Sequence, residues 1–173
     1  MTAEEVYELT TQGGSTDFER VVTLCRGIGP FCLIGGLAVN CYVEPVYTLD
    51  AGFVIVAAHA DELQKRLRAA GFTVRQFAHS VNAQPPKSQL RVQFTTHPRY
   101  QDFPARAEER MVLGTTVPVA SLSDIVQGKI WSYLDPERRL SKRKKDELDL
   151  LRLAEAHPEL RARLPQELRL QLA

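Results

Sequence analysis

The chain has 173 residues, is 44% hydrophobic and 25% charged, and sets 22 Lys and Arg against 21 Asp and Glu for a formal net charge of +1. Those values match one ordinary globular domain with a core of useful size, and no run of about eighteen apolar residues offers a membrane span. Cys25, Cys32 and Cys41 are odd in number and lack C-x-x-C spacing, which argues against a disulfide framework or a zinc site and reads as small core residues in a reducing compartment.

The N-terminal MTAEEVYELT is acidic and has no basic stretch followed by an apolar one, so no secretory signal is expected and the cytoplasm is the expected location. Asp17 to Arg26 has apolar residues at helical spacing behind Ser15 or Thr16 as N-cap, and Gly27 to Pro30 ends it. Cys32 to Gly35 reads as a strand, Gly35-Gly36 as the opening of a short helix near Leu37, and Phe53 to Ala58 as a buried strand with Asp50 just before it. Ala60 to Ala70 is a predicted helix stopped by Gly71. Phe72 to His79 and Gln89 to Thr96 alternate in polarity as strands, with a loop containing Asn82, Pro85 and Pro86 between them. Met111 to Val119 reads as a last strand or hairpin turning at Gly114, with Pro118 at its edge.

Near Pro118 the pattern changes to almost continuous helix, which divides the chain into an α/β core over 1–119 and a helical part over 120–173 packed on it. Ser121 is a good N-cap for a helix with Leu122, Ile125, Val126, Ile130 and Leu134 on about one face, ending near Pro136. A further helix runs through ERRLSKRKKDELDLLRLAEA, with Lys145 and Asp149 as an i, i+4 pair, and is closed by Pro158; a short one begins around Pro165. The fold class is therefore α+β, a mixed β-sheet with flanking helices and a helical C-terminal part.

The chemistry concentrates between Phe31 and Ala57. Paired glycines let a backbone approach phosphate oxygens, a helix start directs free N–H groups and the positive end of its dipole to the same place, and Asp50 offers a carboxylate for a metal ion. The plainer reading is a tight turn at Gly35-Gly36 and an aspartate capping a turn at Asp50. The order and spacing of Gly35, Gly36, Ala38, Pro45, Thr48 and Asp50 resemble the first motif of the AbiEii-type nucleotidyltransferases of the polymerase-beta-like superfamily, GG-x-A followed by P-R-x-T-x-D-x-D. Lys145, Asp146, Asp149 and Leu150 resemble that family's K-D-x-x-D-L motif, and Lys129 stands where the family has a lysine in the preceding helix. The similarity spans most of residues 31 to 155. Val46 replaces the motif's arginine, Gly52 its second aspartate, and Gln93 stands where a third carboxylate is expected.

The resemblance implies a nucleotidyltransferase fold. It also implies Mg2+ on Asp50, the phosphates of a nucleoside triphosphate on Gly35, Gly36 and Thr48 with help from Lys129, and Lys145 on phosphate with Asp146 or Asp149 orienting it. Its activity would be transfer of a nucleoside monophosphate to an RNA or protein hydroxyl, as in a toxin with a cognate antitoxin. One carboxylate holds a magnesium–nucleotide poorly, so the alternative is a catalytically silent nucleotide-binding or regulatory module on the same fold. Asp102 and Glu44 are the nearest acidic residues in sequence that could substitute. The basic run Arg138, Arg139, Lys142, Arg143, Lys144 and Lys145 reads as a solvated helix start or an electropositive rim. Tyr100 reads as packing or a base-stacking surface, Arg91 and Arg99 are weaker phosphate candidates, and the scattered histidines have no ligand spacing.

Overall fold

A computed structural model describes residues 1–173. The sheet is built from β1 (Phe31–Ile34), β2 (Asp50–Ile55), β3 (Thr73–Gln76), β4 (Ser80–Gln84), β5 (Arg91–Thr95), β6 (Glu108–Val112) and β7 (Thr115–Val119). Its order is β3-β4-β5-β2-β1-β7-β6. The β2/β5 and β1/β7 pairs are parallel and the others antiparallel, so the sheet is mixed. The helices are α1 (Ala3–Thr10), α2 (Gly14–Arg26), α3 (Gly36–Val39), α4 (Ala60–Ala69), α5 (Leu122–Leu134), α6 (Leu140–Ala156) and α7 (Gln166–Gln171). No helix is long and apolar enough to cross a membrane.

Alternation along β2 and β5 gives the sheet two unlike faces. Phe53 and Phe94 are register partners whose rings stack at 5.5 Å, and Phe18 of α2 stacks on Phe53 at 6.0 Å. All three are fully buried, and each such side chain contributes about 2 to 3 kcal/mol of apolar burial. The residues between them, Asp50 and Gly52 on β2 and Arg91 and Gln93 on β5, belong to the opposite face. Ile125, Val126, Leu150 and Leu153 of α5 and α6 join the same buried cluster as the strand residues, so residues 1–119 and 120–173 share one core. Cys25 and Cys32 are buried free thiols in that core, pushed up to about 12, chiefly by burial.

Several local features differ from expectation or add to it. Strand β2 covers Asp50–Ile55 where the sequence indicates Phe53 to Ala58, so Asp50 is its first residue and Ala57–His59 forms a 3-10 turn. Residues 80–84 form a strand, not a loop: Val81 and Ala83 point into the core, Ser80 and Asn82 do not, and β3 and β5 supply partners on both edges. The first residues form α1, held by a capping box between Thr2 and Glu5. Helix α2 starts at Gly14, before Ser15 and Thr16, with Gly13 at φ 103° as N-cap. Its first-turn donors are met from outside, because Glu8 of α1 accepts from Thr16 N at 3.0 Å, from Thr16 Oγ1 at 2.6 Å and from the Ser15 hydroxyl. Helix α3 is four residues long, too short to develop the dipole expected of it.

The hairpin at Gly114 forms as the sequence indicates, with Leu113 at φ 49° and Gly114 at φ 78° giving the doubly positive turn that suits two-residue hairpins. Ser121 caps α5 by accepting from Asp124 N at 3.2 Å.

Candidate functional site

A cleft of about 750 Å³ lies over the face of β2, β4 and β5 that carries Asp50, with α5 and α6 forming its other wall. All of the sequence-predicted site residues line it: Gly35, Gly36, Thr48, Asp50, Lys129, Lys145, Asp146 and Asp149. Asp102 and Glu44 do not. Nine Lys and Arg residues face five Asp in the lining, so the cleft is positive although the chain is nearly neutral.

The loop from β1 into α3 brings a bare backbone to the cleft. Gly35 adopts φ 78°, and a Cβ there would meet nothing within 4 Å, so the position needs glycine for its conformation and looks onto open space. Gly36 is less restricted: a Cβ there would make ordinary contact with Thr48 at 3.6 Å. Thr48 Oγ1 accepts from Asp50 N at 3.2 Å and sets the entry into β2.

Asp50 is not a free carboxylate. Lys142 Nζ lies 2.7 Å from Oδ2, Arg91 Nε 2.8 Å from Oδ1, and the second Arg91 nitrogen 3.4 Å from Oδ2. Lys145 Nζ stands 3.8 Å from Oδ2, with more than half of its side chain exposed. Partial burial raises the Asp50 carboxyl, but hydrogen bonds and charge from Lys142, then Arg91, outweigh it and hold the group below the ordinary carboxylate range. Gly52 is the direct register partner of Gln93, one face-step from Asp50 and its own partner Arg91. The two positions beside Asp50 on this face therefore carry no acid.

The magnesium ion implied by the resemblance does not fit this donor set. Hard divalent cations need several oxygen ligands, commonly more than one carboxylate, and the single carboxylate here is already engaged by two side-chain cations. No group of three His, Cys, Asp or Glu residues is placed to hold a metal.

The C-terminal motif is brought to the cleft but wired differently from expectation. Asp146 is 1% exposed and accepts from Lys129 Nζ at 3.0 Å and Arg138 Nε at 2.6 Å, so it does not orient Lys145. Asp149 pairs with Lys129 at 2.8 Å and Arg152 at 2.8 Å, not with Lys145. Lys129 thus ties two nearly buried carboxylates of α6 to α5, a structural use of its ammonium, and Lys145 is the motif cation left facing the open cleft. The basic run divides by helical phase. Lys142 and Lys145 turn inward, three residues apart, while Lys144 pairs with Glu147 at 3.0 Å outside the cleft. Lys142 and Arg91 are the site residues least visible in sequence; the i, i+3 spacing of Lys142 and Lys145 was the available signal for the first.

Tyr100, also in the lining, is 7% exposed and packs edge-on against Phe103 and Trp131, with Arg99 4.9 Å above the Trp131 ring. Packing is the reading that Tyr100's burial supports.

No family model matches the sequence, and no curated protein matches it at a significant level. Solved structures do match its shape. ANT(2'')-Ia in complex with adenylyl-2''-tobramycin superimposes with TM-score 0.59 at 17% identity, covering 92% of this chain and 98% of that one. The solution structure of the antibiotic-resistance factor ANT(2'')-Ia gives 0.56 at 14% identity over 91% and 92%. An antigenic nucleotidyltransferase-like protein from Paracoccidioides brasiliensis gives 0.54 at 21% identity over 91% and 84%. The chain has the nucleotidyltransferase fold. Its α+β architecture, read from the sequence as a mixed sheet with flanking helices, is the architecture of these neighbours.

Proposed function

We propose that this chain binds the phosphates of a nucleoside triphosphate in the cleft between the sheet and α6, and that it does not carry out metal-dependent nucleotidyl transfer. The observation that carries the reading is the state of Asp50: one carboxylate, held by Lys142 and Arg91, with Gly52 and Gln93 beside it. Phosphoryl and nucleotidyl transfer depend on neutralising charge at the reacting phosphate, and Gly52 and Gln93 supply no carboxylate beside Asp50 to hold a metal that would do so. What is retained favours binding: the open Gly35 backbone, the exposed Lys145 ammonium and the positive lining.

The nucleotide is the part of the ligand that the cleft chemistry addresses most directly. One fold neighbour was solved with an adenylylated antibiotic, which makes an adenine nucleotide a sensible first probe. The resemblance to AbiEii-type toxins is carried by the two sequence motifs, and it places cellular RNA and a cognate antitoxin among the partners to be tested.

The test is incubation of the full chain with each α-labelled triphosphate, Mg2+ or Mn2+, and cellular RNA, beside calorimetric titration of each triphosphate. Binding without label transfer is expected. Robust labelling that disappears in Asp50→Ala would overturn the loss of transfer, and absence of binding by all four triphosphates would overturn the nucleotide site.

A further inference from the structure

We infer that this cleft takes its triphosphate without a divalent metal, the ammonium of Lys142 supplying at Asp50 the positive charge that a metal would bring. The inference rests on the nucleotide-binding reading above and adds the source of the neutralising charge.

Three cations converge on one carboxylate. Lys142 Nζ is 2.7 Å and Lys145 Nζ 3.8 Å from Asp50 Oδ2, and Arg91 Nε is 2.8 Å from Oδ1. Three positive charges against one negative leave a local surplus of two, in the cleft that the Gly35-Gly36 backbone also lines, with Thr48 between Gly36 and Asp50. A divalent cation arriving at Asp50 would have to displace Lys142 and Arg91 from its two oxygens and would then stand among three like charges. A polyphosphate has the opposite prospect. It meets amino and guanidinium donors already fixed in place by Asp50, so part of the ordering cost is met before binding.

The neighbouring charges do not offset this surplus. Asp146 and Asp149 are committed to Lys129, Arg138 and Arg152, with N–O distances of 2.6 to 3.0 Å. The surplus at Lys142, Lys145 and Arg91 is therefore available to a ligand. Because free triphosphate carries more negative charge than its magnesium complex, adding the metal should weaken binding here, the reverse of a metal-dependent site.

The experiment titrates the full chain with ATP and with inorganic tripolyphosphate, at low ionic strength, once in EDTA and once in excess Mg2+. Binding in EDTA at least as tight as in Mg2+ is expected. Lys142→Gln should weaken it by about tenfold, the loss of one charge-assisted hydrogen bond, whereas Lys142→Arg should keep most of it. Thermal melts establish that the variants are folded. Binding that requires Mg2+ would overturn the metal-free inference and leave the nucleotide site standing. No binding of ATP or tripolyphosphate in either condition would overturn the nucleotide site itself. Unchanged affinity in folded Lys142→Gln would remove Lys142 from the role given to it. A further arm measures Mn2+ binding by electron paramagnetic resonance. The chain as it stands should bind Mn2+ less tightly than Gly52→Asp combined with Lys142→Ala, which adds a second carboxylate and removes the cation. Equal Mn2+ affinity in the two would overturn the inference.

Discussion

Lys142 Nζ and Asp50 Oδ2 are 2.7 Å apart although 92 residues separate them in sequence, so α6 closes directly over the start of β2. The contact converts the motif aspartate from a candidate metal ligand into the anchor of a cationic cluster. Asp50→Asn removes the one negative charge of the cluster while its amide oxygen can still accept from Lys142 or Arg91, so the gain in attraction for phosphate should outweigh the lost ordering of the donors and tighten metal-free ATP binding, where a metal site would lose it. Because the pair is partly exposed, the gain is expected to be modest, at most about fivefold or roughly 1 kcal/mol after solvent screening. Calorimetry of Asp50→Asn in EDTA measures it, and a loss of ATP affinity in the folded variant would contradict the cluster reading.

The glycine pair divides its work unequally. Gly35→Ala places a Cβ on a backbone at φ 78°, ψ −157°, a conformation essentially confined to glycine, and should destabilise the fold by about 1 to 3 kcal/mol. Gly36→Ala adds a methyl at ordinary contact distance from Thr48 and should leave stability nearly unchanged. Denaturant unfolding of both variants checks the contrast. Equal destabilisation would show that Gly36 is constrained by something other than backbone conformation and Cβ contact.

Lys129 bridges two nearly buried carboxylates. Lys129→Met removes the shared ammonium and leaves Asp146 and Asp149 with Arg138 and Arg152 alone, which should cost about 3 to 5 kcal/mol of stability, the range for breaking a buried pair. The measurement is the unfolding free energy in urea. A stability loss below about 1 kcal/mol, the level of a surface pair, would refute the structural role.

Glu8 gives a pH-dependent test of the α1/α2 junction. Its hydrogen bonds from Ser15 and Thr16 hold its carboxyl below the ordinary value of 4.5, the Ser15 side chain being the largest cause. A depressed folded value means that the stabilisation is fully present above 4.5 and is lost as pH falls through that lower value. Glu8→Ala should therefore cost about 1 kcal/mol near neutrality, as removal of a helix cap does, and progressively less in acid. Melting temperatures of the two proteins across pH 3 to 7 should converge at the acid end, and a constant difference would assign Glu8 to packing.

Much of the scaffold was legible because it is set locally. Ser121 caps α5 by reaching three residues along its own chain, the Leu113-Gly114 turn depends on two adjacent residues, and Phe53 to Ala58 is apolar enough to declare a buried strand, which the structure has three residues earlier, over Asp50–Ile55. The gathering of Gly35, Gly36, Asp50 and Lys145 around one cleft is what the resemblance of the two motif regions to one family site implied. By contrast, Ser80 to Gln84 has too little apolar character to indicate a strand, and it becomes one because β3 and β5 satisfy its backbone on both sides. Glu8 as the cap of α2 depends on how two helices meet. The sequence by itself determined the α+β class, the glycine turn and the presence of glycine, not an acid, at position 52. The tertiary structure alone decided which charges meet. Helical phase placed Lys142 and Lys145 on one face, but only the packing of α6 over β2 turned that face toward Asp50, and only the β2/β5 register set Arg91 opposite it. Charge pairing acts across space between side chains that are distant in sequence, so the ion pairs that define this site form only once the helices and sheet are packed together.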